Sequence, residues 1–268
     1  MNTFNFNRLG KVIVNDLRRA WQNYGYSFLI LALMPAVFCL FYTFMPLVFG
    51  ASFHYAAPWA RTAVLGFTVI ALIVSFPSKV YGNLTDKRYG TDYLMLPAST
   101  LEKFVSMVLV TAVIVPVLFV AGFMAVDAIL SAVGLYEGGT LVAFLNDSAV
   151  MNNDFITLNL WSYSMVSLAL NMLIFLLGAI YFKKGKAALT ILSLFALSLA
   201  FSIIIGLIVP HIDGEWIEQL IEGRLEEWME RNVDRIELYL NLVINTFRVI
   251  GFSIVGGLIY LRLKTLKH

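Results

Sequence analysis

The sequence YGTDYLMLPASTLEKF occupies Tyr89–Phe104 and separates two long apolar stretches of the chain. It turns at Pro97 and continues as Ser99-Thr100-Leu101-Glu102. This spacing predicts a capping box, in which the Glu102 amide donates to the Ser99 hydroxyl and the Glu102 carboxylate reaches back to the Ser99 amide. A capping box fixes where a helix begins, so the stretch predicts a helix start immediately before the second apolar stretch.

The chain as a whole is too apolar for an ordinary water-soluble domain. Its 268 residues are 60% hydrophobic and 13% charged, with a mean hydropathy of +0.81, whereas about a quarter of the residues of a soluble domain are charged. Apolar runs of about 20 residues recur, and a helix of that length crosses about 30 Å of hydrocarbon. Because a lipid-embedded segment must satisfy its own backbone hydrogen bonds, the sequence predicts an all-α polytopic membrane protein.

Six apolar runs predict six transmembrane helices within a single transmembrane domain, residues 1–268. We expect them near 27–49, 62–80, 104–127, 160–182, 187–209 and 239–261. Residues 1–26 combine basic residues with apolar residues that recur every three or four positions, which predicts an amphipathic helix lying in the cytoplasmic membrane interface. The alternative for this helix is packing on another cytosolic chain.

The connection between the fifth and sixth runs, residues 210–238, is strongly acidic. Trp216, Leu220 and Trp228 begin an apolar stripe along it, opposite a series of glutamates. This pattern predicts an extracellular amphipathic helix. Residues 239–268 then contain the sixth run and a basic tail.

Basic residues are concentrated in alternate connections, and this predicts the orientation of the chain. Most of the 19 Lys and Arg residues lie in residues 1–26, in the loop after the second run, in the turn 183–186 and in the tail 262–268. By the positive-inside rule both termini are cytoplasmic, as expected of a multi-pass protein of the cytoplasmic (inner) membrane. The net charge is only +2, so the total charge says nothing about nucleic acid. For a multi-pass membrane protein we expect no nucleic acid partner.

The sequence lacks the common signatures of catalysis. It contains no G-x-x-x-x-G-K-[ST] phosphate-binding loop and no G-x-S-x-G nucleophile elbow. Its histidines are scattered without ligand spacing, and Cys39 is its single cysteine, so no metal site and no intrachain disulfide is expected. We therefore expect no catalytic residue and no cofactor in this chain.

Polar residues at membrane depth are candidate functional residues, because lipid penalises them. They are Asp127 near the outer end of the third run, Asn171 in the fourth run, and Asn241, Asn245 and Arg248 on one face of the sixth. These faces are expected to turn inward, either as contacts between helices or as substrate contacts. An ion pair between Arg248 and Asp127 is the specific hypothesis, since both belong to the outer half of the membrane.

In layout and in one motif, the chain resembles the membrane-spanning permease subunit of a type-2 ABC exporter, the ABC-2 permease family. The layout is a basic amphipathic helix, six spans, a basic loop between spans two and three, and an outer helical segment between spans five and six. The motif is Leu96-Pro97-Ala98-Ser99 followed by Leu101-Glu102-Lys103, similar to the L-P-x-S-x-x-E pattern that begins span three in such permeases. The outer segment is longer and more acidic than the re-entrant pair of many relatives.

The resemblance implies that a separate ATP-binding cassette subunit binds ATP and Mg and drives the transport. A coupling helix over about 83–94 would dock on that subunit, with Asp86, Lys87, Arg88, Tyr89 and Tyr93 as candidate contacts. A second permease copy or a homologue would complete the pathway.

Two other functions stay open at this point. One is a non-transporting membrane sensor, scaffold or immunity protein that binds a ligand through the acidic outer helix. The other is a secondary carrier or channel, which the lack of repeated halves disfavours.

Overall fold

The structure is a computed structural model that describes residues 4–49, 56–85, 90, 93, 95–136, 138–148, 150–153, 156–208 and 233–266. Its helices are α1 (Phe6–Ala32), α2 (Met34–Val48), α3 (Pro58–Val80), α4 (Thr100–Leu109), α5 (Val115–Ala132), α6 (Leu141–Ser148), α7 (Leu160–Tyr181), α8 (Lys186–Ile208) and α9 (Val233–Thr265). A 3-10 turn, Gly82–Thr85, follows α3, and a π-helical turn, Val110–Ile114, joins α4 to α5.

Six helical stretches among the described residues are long and apolar enough to cross a membrane. They are Phe6–Pro46, Pro58–Val80, Thr100–Ala132, Ser164–Tyr181, Lys186–Leu207 and Asn241–Thr265. Apart from the start of the first, their ends agree with the predicted spans within a few residues. The prediction of an all-α polytopic membrane protein is therefore confirmed.

Two features outside the spans qualify the predicted layout. Between spans three and four lies a short antiparallel hairpin of β1 (Val150–Asn153) and β2 (Ile156–Asn159). Most of the predicted outer helix over 210–238 lies outside the described residues, and α9 already begins at Val233.

The first span differs from the prediction, because no helix boundary occurs near residue 26. α1 runs without interruption from Phe6 to Ala32. A break at Leu33 then separates it from α2, which has Pro35 in its first turn. Proline favours such a break because its ring clashes with the preceding turn of a continuing helix. The predicted amphipathic helix and the first span thus begin as one helix.

The amphipathic character of α1 serves packing within the chain. Leu9, Val12 and Tyr24 are buried on a face that packs against α3 and α4. Phe6 and Trp21, which the sequence pattern placed on the same stripe, are exposed. The apolar stripe is therefore divided between a buried part against the bundle and an outward part available to lipid.

The apolar core is centred on α7, which packs against α3, α8, α9 and the π-helical turn. Met172, Leu176 and Ile180 of α7 are fully buried. On α3, Leu72 and Phe76 are buried in the same cluster, and the Phe76 ring makes an edge contact with Tyr24 of α1. The outward faces of α8 and α9 expose large apolar side chains, as expected of helices that face lipid.

The helix ends that carry basic residues meet at one end of the bundle. Arg8 Nη2 of α1 lies 3.2 Å from Glu102 Oε1 of α4. The Lys186 ammonium at the start of α8 donates to the Gly82 carbonyl just after α3. Arg262 Nε of α9 donates to a carbonyl in the last turn of α7 at 3.2 Å. We call this the basic end of the bundle.

The opposite end is stabilised by a buried ion pair between Arg61 of α3 and Asp127 of α5. Arg61 Nη1 lies 3.1 Å from Asp127 Oδ1 and 3.3 Å from Oδ2. Arg61 Nη2 also donates to the Gly139 carbonyl at 3.0 Å, and the guanidinium lies 4.4 Å from the centre of the Tyr136 ring. The Leu141 amide donates to Asp127 Oδ2 at 2.7 Å. The pair therefore also satisfies backbone groups of the loop before α6.

This ion pair corrects the predicted pairing of Arg248 with Asp127. The side chains of Arg61 and Asp127 are only 2% and 1% exposed, so each depends on the other to offset its desolvation. Arg248 Nη1 instead donates to Asn245 Oδ1 of its own helix at 3.1 Å. The prediction failed because it chose the partner by depth along the helices and not by which helices are neighbours.

Removing one member of this pair leaves an uncompensated buried charge. We expect Asp127→Ala to lower the free energy of unfolding by about 3–5 kcal/mol, measured by denaturant or thermal unfolding in detergent. Arg248→Gln, which removes a charge from the partly exposed face of α9, is the control and should cost much less. An Asp127→Ala loss no larger than that of Arg248→Gln would contradict the assignment.

Candidate functional site at the basic end

The capping box occurs where the sequence predicts it. Ser99 is the N-cap of α4; the Glu102 amide donates to Ser99 Oγ at 3.2 Å and the Ser99 amide donates to Glu102 Oε2 at 2.8 Å. Leu96 packs against the core, and Pro97 is exposed in the turn. Across that turn the Ala98 amide donates to the Leu96 carbonyl at 2.7 Å. The motif therefore fixes both the start of span three and the turn that precedes it.

Glu102 also reaches a second helix. Its Oε1 accepts a hydrogen bond from the Asn5 amide at 2.8 Å and lies 3.2 Å from Arg8 Nη2. Asn5 is the N-cap of α1, and its side chain accepts from the Asn7 amide at 2.9 Å. A carboxylate is favourable at the positive end of a helix dipole. Here one carboxylate lies at the N-termini of α1 and α4 together.

A second buried carboxylate, Asp16, connects α1 to α4 and to the loop after span two. Asp16 is 1% exposed. Its Oδ2 accepts from Ser106 Oγ at 2.5 Å and from the Tyr93 hydroxyl at 3.3 Å. The Arg19 guanidinium lies 5.5 Å from the centre of the Tyr93 ring. Asp16, Arg19, Tyr93 and Ser106 form what we call the Asp16 cluster.

The tyrosine of this cluster acts as a hydrogen-bond donor. Burial, together with the negative charge of Asp16, raises the pKa of Tyr93 well above its ordinary value. Burial likewise raises the pKa of the neighbouring Tyr81. Both hydroxyls therefore keep their protons at neutral pH, and the Tyr93 hydroxyl continues to donate to Asp16.

A polar cavity of about 260 Å³ lies beside the Asp16 cluster. α1 contributes four residues, and the rest come from the end of α3, the 3-10 turn and the loop: Asp16, Arg19, Gln22, Asn23, Val80, Tyr81, Asn83, Leu84 and Tyr93. The lining offers both signs of charge and several amides. The cavity therefore lies directly against the loop after span two.

The loop after span two is also attached to spans four and five. Thr85 Oγ1 lies 3.4 Å from the Phe182 carbonyl that follows α7, and the Lys186 ammonium donates to the Gly82 carbonyl. Gly82, Leu84 and Thr85 are buried. A side chain at position 82 would meet Lys186 at 3.1 Å, so a glycine permits this approach. Through these contacts the loop touches the ends of several spans at once.

The structure places one of the five predicted coupling residues in this site. Tyr93 is 1% exposed, so its contacts are with α1 and α4 and not with a partner surface, which corrects its predicted role. Asp86, Lys87, Arg88 and Tyr89 lie outside the described residues.

The other predicted polar residues do not join the site. Asn171 Nδ2 donates to the Ser167 carbonyl at 3.0 Å, within α7. On α9, Asn241 is partly exposed and Asn245 is exposed, so the described helices of this chain do not enclose Asn245. These amides and Arg248 are thus separate from the buried Asp127.

Asp16 and Ser106 were not among the candidate residues predicted from the sequence. A signal for Asp16 was present, because it is the only Asp or Glu before position 86 and lies on the same helical face as Leu9, Val12 and Ala20. A lone acidic residue on an apolar face indicates a buried partner. Ser106 carried no comparable signal.

The fold and this site define a polytopic α-helical membrane protein whose basic end is organised by two buried carboxylates. Comparison with models of known protein families, with curated proteins and with solved structures found no match for the chain. In the described part of the chain, no group of three or more His, Cys, Asp and Glu side chains could bind a metal ion.

The double role of Glu102 can be tested by two substitutions. Ser99→Ala removes the cap of α4 alone and should lower the free energy of unfolding by about 1 kcal/mol. Glu102→Gln should destabilise the protein more, because it also loses the charge that faces Arg8 and the start of α1. Unfolding in detergent measures the stability, and amide hydrogen exchange at residues 6–12 reports on the start of α1.

Ser198→Ala is the matched control, since that exposed hydroxyl bonds only to the Phe195 carbonyl of its own helix. We expect faster exchange over residues 6–12 in Glu102→Gln and wild-type exchange in Ser198→Ala. Unchanged exchange in Glu102→Gln would refute the connection between the two helices.

Proposed function

We propose that this chain is the membrane-spanning subunit of an ATP-driven exporter of the ABC-2 type. In this proposal the basic end faces the cytoplasm, and a separate ATP-binding cassette ATPase docks on the loop between spans two and three. A subunit of this kind needs a point where force enters and a stiff path from there to its spans. The attachment of that loop to α1, α4, α7 and α8 supports the proposal.

The path from the loop into the bundle consists of buried, directional contacts. Tyr93 donates to Asp16 of α1, which also accepts from Ser106 of α4. Thr85 and Gly82 link the other part of the loop to the turn between α7 and α8. Because close-packed, hydrogen-bonded contacts resist compression, a displacement of the loop would move these helix ends together.

The segment that would meet the ATPase is anchored at both ends. Thr85 and Gly90 are buried on either side of Asp86, Lys87, Arg88 and Tyr89. Three of these four residues are charged, and charged side chains favour recognition of a soluble partner over burial in lipid. The proposal assigns docking to these four residues and transmission to the Asp16 cluster.

Span three contains a feature suited to conformational change. Its π-helical turn, Val110–Ile114, begins about one helical turn after Ser106 and packs against α7. π-helical turns occur mostly as single turns within α-helices and frequently at functional sites. They are also positions where a helix bends. In the proposed mechanism, a pull on Ser106 is converted into bending at this turn, which opens and closes the pathway between two subunits.

The docking test is purification of the tagged full-length chain from its native host in mild detergent, followed by mass spectrometry of the co-purifying chains. We expect a stoichiometric ATP-binding cassette protein that is lost when Arg88→Glu and Tyr89→Ala are combined. Lys264→Glu reverses an exposed charge at the same end of the bundle and should keep the partner. A pure complex without any ATP-binding protein would refute the exporter function and favour the sensor or scaffold.

Transmission is tested separately in the purified complex. Tyr93→Phe combined with Ser106→Ala removes both donors to Asp16 without touching the docking segment. We expect this variant to keep the ATPase but to lower its stimulation by the membrane subunit in proteoliposomes. Equal stimulation in variant and wild type would show that the Asp16 cluster has no part in coupling.

A further inference from the structure

A second cavity, of about 500 Å³, lies between α7, α8 and α9 near the basic end. Most of its lining is apolar, including Ile174 and Leu177 of α7, Leu194 of α8 and Leu258 of α9. Its volume lies within the range of about 300–1,000 Å³ that is usual for small-molecule sites. An apolar cavity between helices that face lipid is accessible to the acyl chains of the membrane.

The lining of this cavity, which we call the groove, includes a cation. Arg262 lines the groove, and its guanidinium lies 5.4 Å from the centre of the Tyr181 ring. Its Nε donates to the Ile180 carbonyl at 3.2 Å. Among the described residues no hydrogen bond uses its two terminal nitrogens. Arg262 is thus oriented by its Nε, and its terminal N–H groups can donate to a ligand.

The segments of α7, α8 and α9 that line the groove carry basic residues and no acidic residue. Lys183 and Lys184 are exposed in the turn before α8. Neither residues 174–194 nor residues 257–266 contain an Asp or Glu. An anionic group at this position would therefore meet the Arg262 cation and no acidic residue of these segments.

We propose that this groove binds one anionic phospholipid of the surrounding membrane, with its phosphate on Arg262 and an acyl chain between α7, α8 and α9. A guanidinium fork matches the oxygens of a phosphate. Basic pockets between transmembrane helices are suited to anionic lipid headgroups. A zwitterionic lipid carries a cationic group that Arg262 repels. The inference rests on the membrane-protein class and is independent of the proposed function.

A second copy of the chain fits the groove less well. If it packed there through its α8, it would bring no acidic group to Arg262, because Lys186–Ile208 contains none. An anionic lipid supplies both the charge and the apolar chain that the groove requires.

The test is photolabelling of the full-length chain in vesicles of equal amounts of phosphatidylglycerol and phosphatidylcholine. Each lipid is used in turn as the photoactivatable probe, and labelled peptides are identified by mass spectrometry. We expect phosphatidylglycerol to label residues 174–194 and 258–265 about fivefold more than phosphatidylcholine does. Arg262→Gln should reduce this preference to near one. Lys11→Gln removes an exposed basic residue of α1 outside the groove and should leave the preference unchanged.

A second variant tests the groove without altering charge. Ser193→Phe fills the space that Ser193 lines and should reduce labelling by both lipids, while thermal unfolding reports that the fold is kept. This variant decides the matter if Arg262→Gln does not fold. Equal labelling by the two lipids in the wild type, or unchanged labelling in Ser193→Phe, would overturn the proposal. Cross-linking between two chains through the groove would assign it to a second copy instead.

Discussion

The arrangement of the basic end depends on the carboxylate of Glu102, which lies at two helix N-termini. The first amides of any helix have no partner within it. Glu102 accepts from the Ser99 amide of α4 and the Asn5 amide of α1, and it pairs with Arg8. This side chain holds the starts of α1 and α4 together, and the two helices also pack against each other. In this arrangement Asp16 of α1 accepts directly from Ser106 of α4, and the Tyr93 hydroxyl donates to the same carboxylate oxygen.

The two ends of the bundle use buried carboxylates differently. At one end Asp127 is paired with the Arg61 guanidinium and accepts a hydrogen bond from the Leu141 backbone amide. At the basic end Asp16 accepts from two hydroxyls beside a polar cavity. A hydroxyl is a neutral donor, whereas the guanidinium of Arg61 carries a charge. The two ends therefore hold their buried carboxylates with different kinds of partner.

The two proposals meet at the first turns of α8. The Lys186 ammonium donates to the Gly82 carbonyl of the loop after span two. Thr190, one turn later, lines the groove. α7 and α8 touch at Gly178, where the Thr190 side chain occupies the space that a side chain would need. A lipid in the groove would therefore contact the same helix start that anchors the proposed coupling loop.

The sequence by itself determined the six apolar helices, their approximate ends and the Ser99–Glu102 capping box. These features depend on hydropathy over about 20 residues or on contacts within one helical turn, so they can be predicted from neighbouring positions. The clustering of basic residues predicted a cytoplasmic orientation of both termini, which stays a prediction. Local pattern did not show that α1 continues past residue 26, because the amphipathic stretch and the first apolar run are both helical and differ only in what surrounds them.

Only the tertiary structure decided the partners of the buried charges. Arg61 is the only Asp, Glu, Lys or Arg between positions 27 and 78, and Asp127 is the only one between 104 and 136. Their isolation indicates that each needs a partner. Arg248, however, is likewise the only charged residue of its apolar run, so the sequence did not distinguish it from Arg61. The choice depends on α3 lying close enough to α5 at that end, which is a property of packing between distant segments. The same reason applies to Asp16, whose partners Tyr93 and Ser106 are separated from it by two spans of chain.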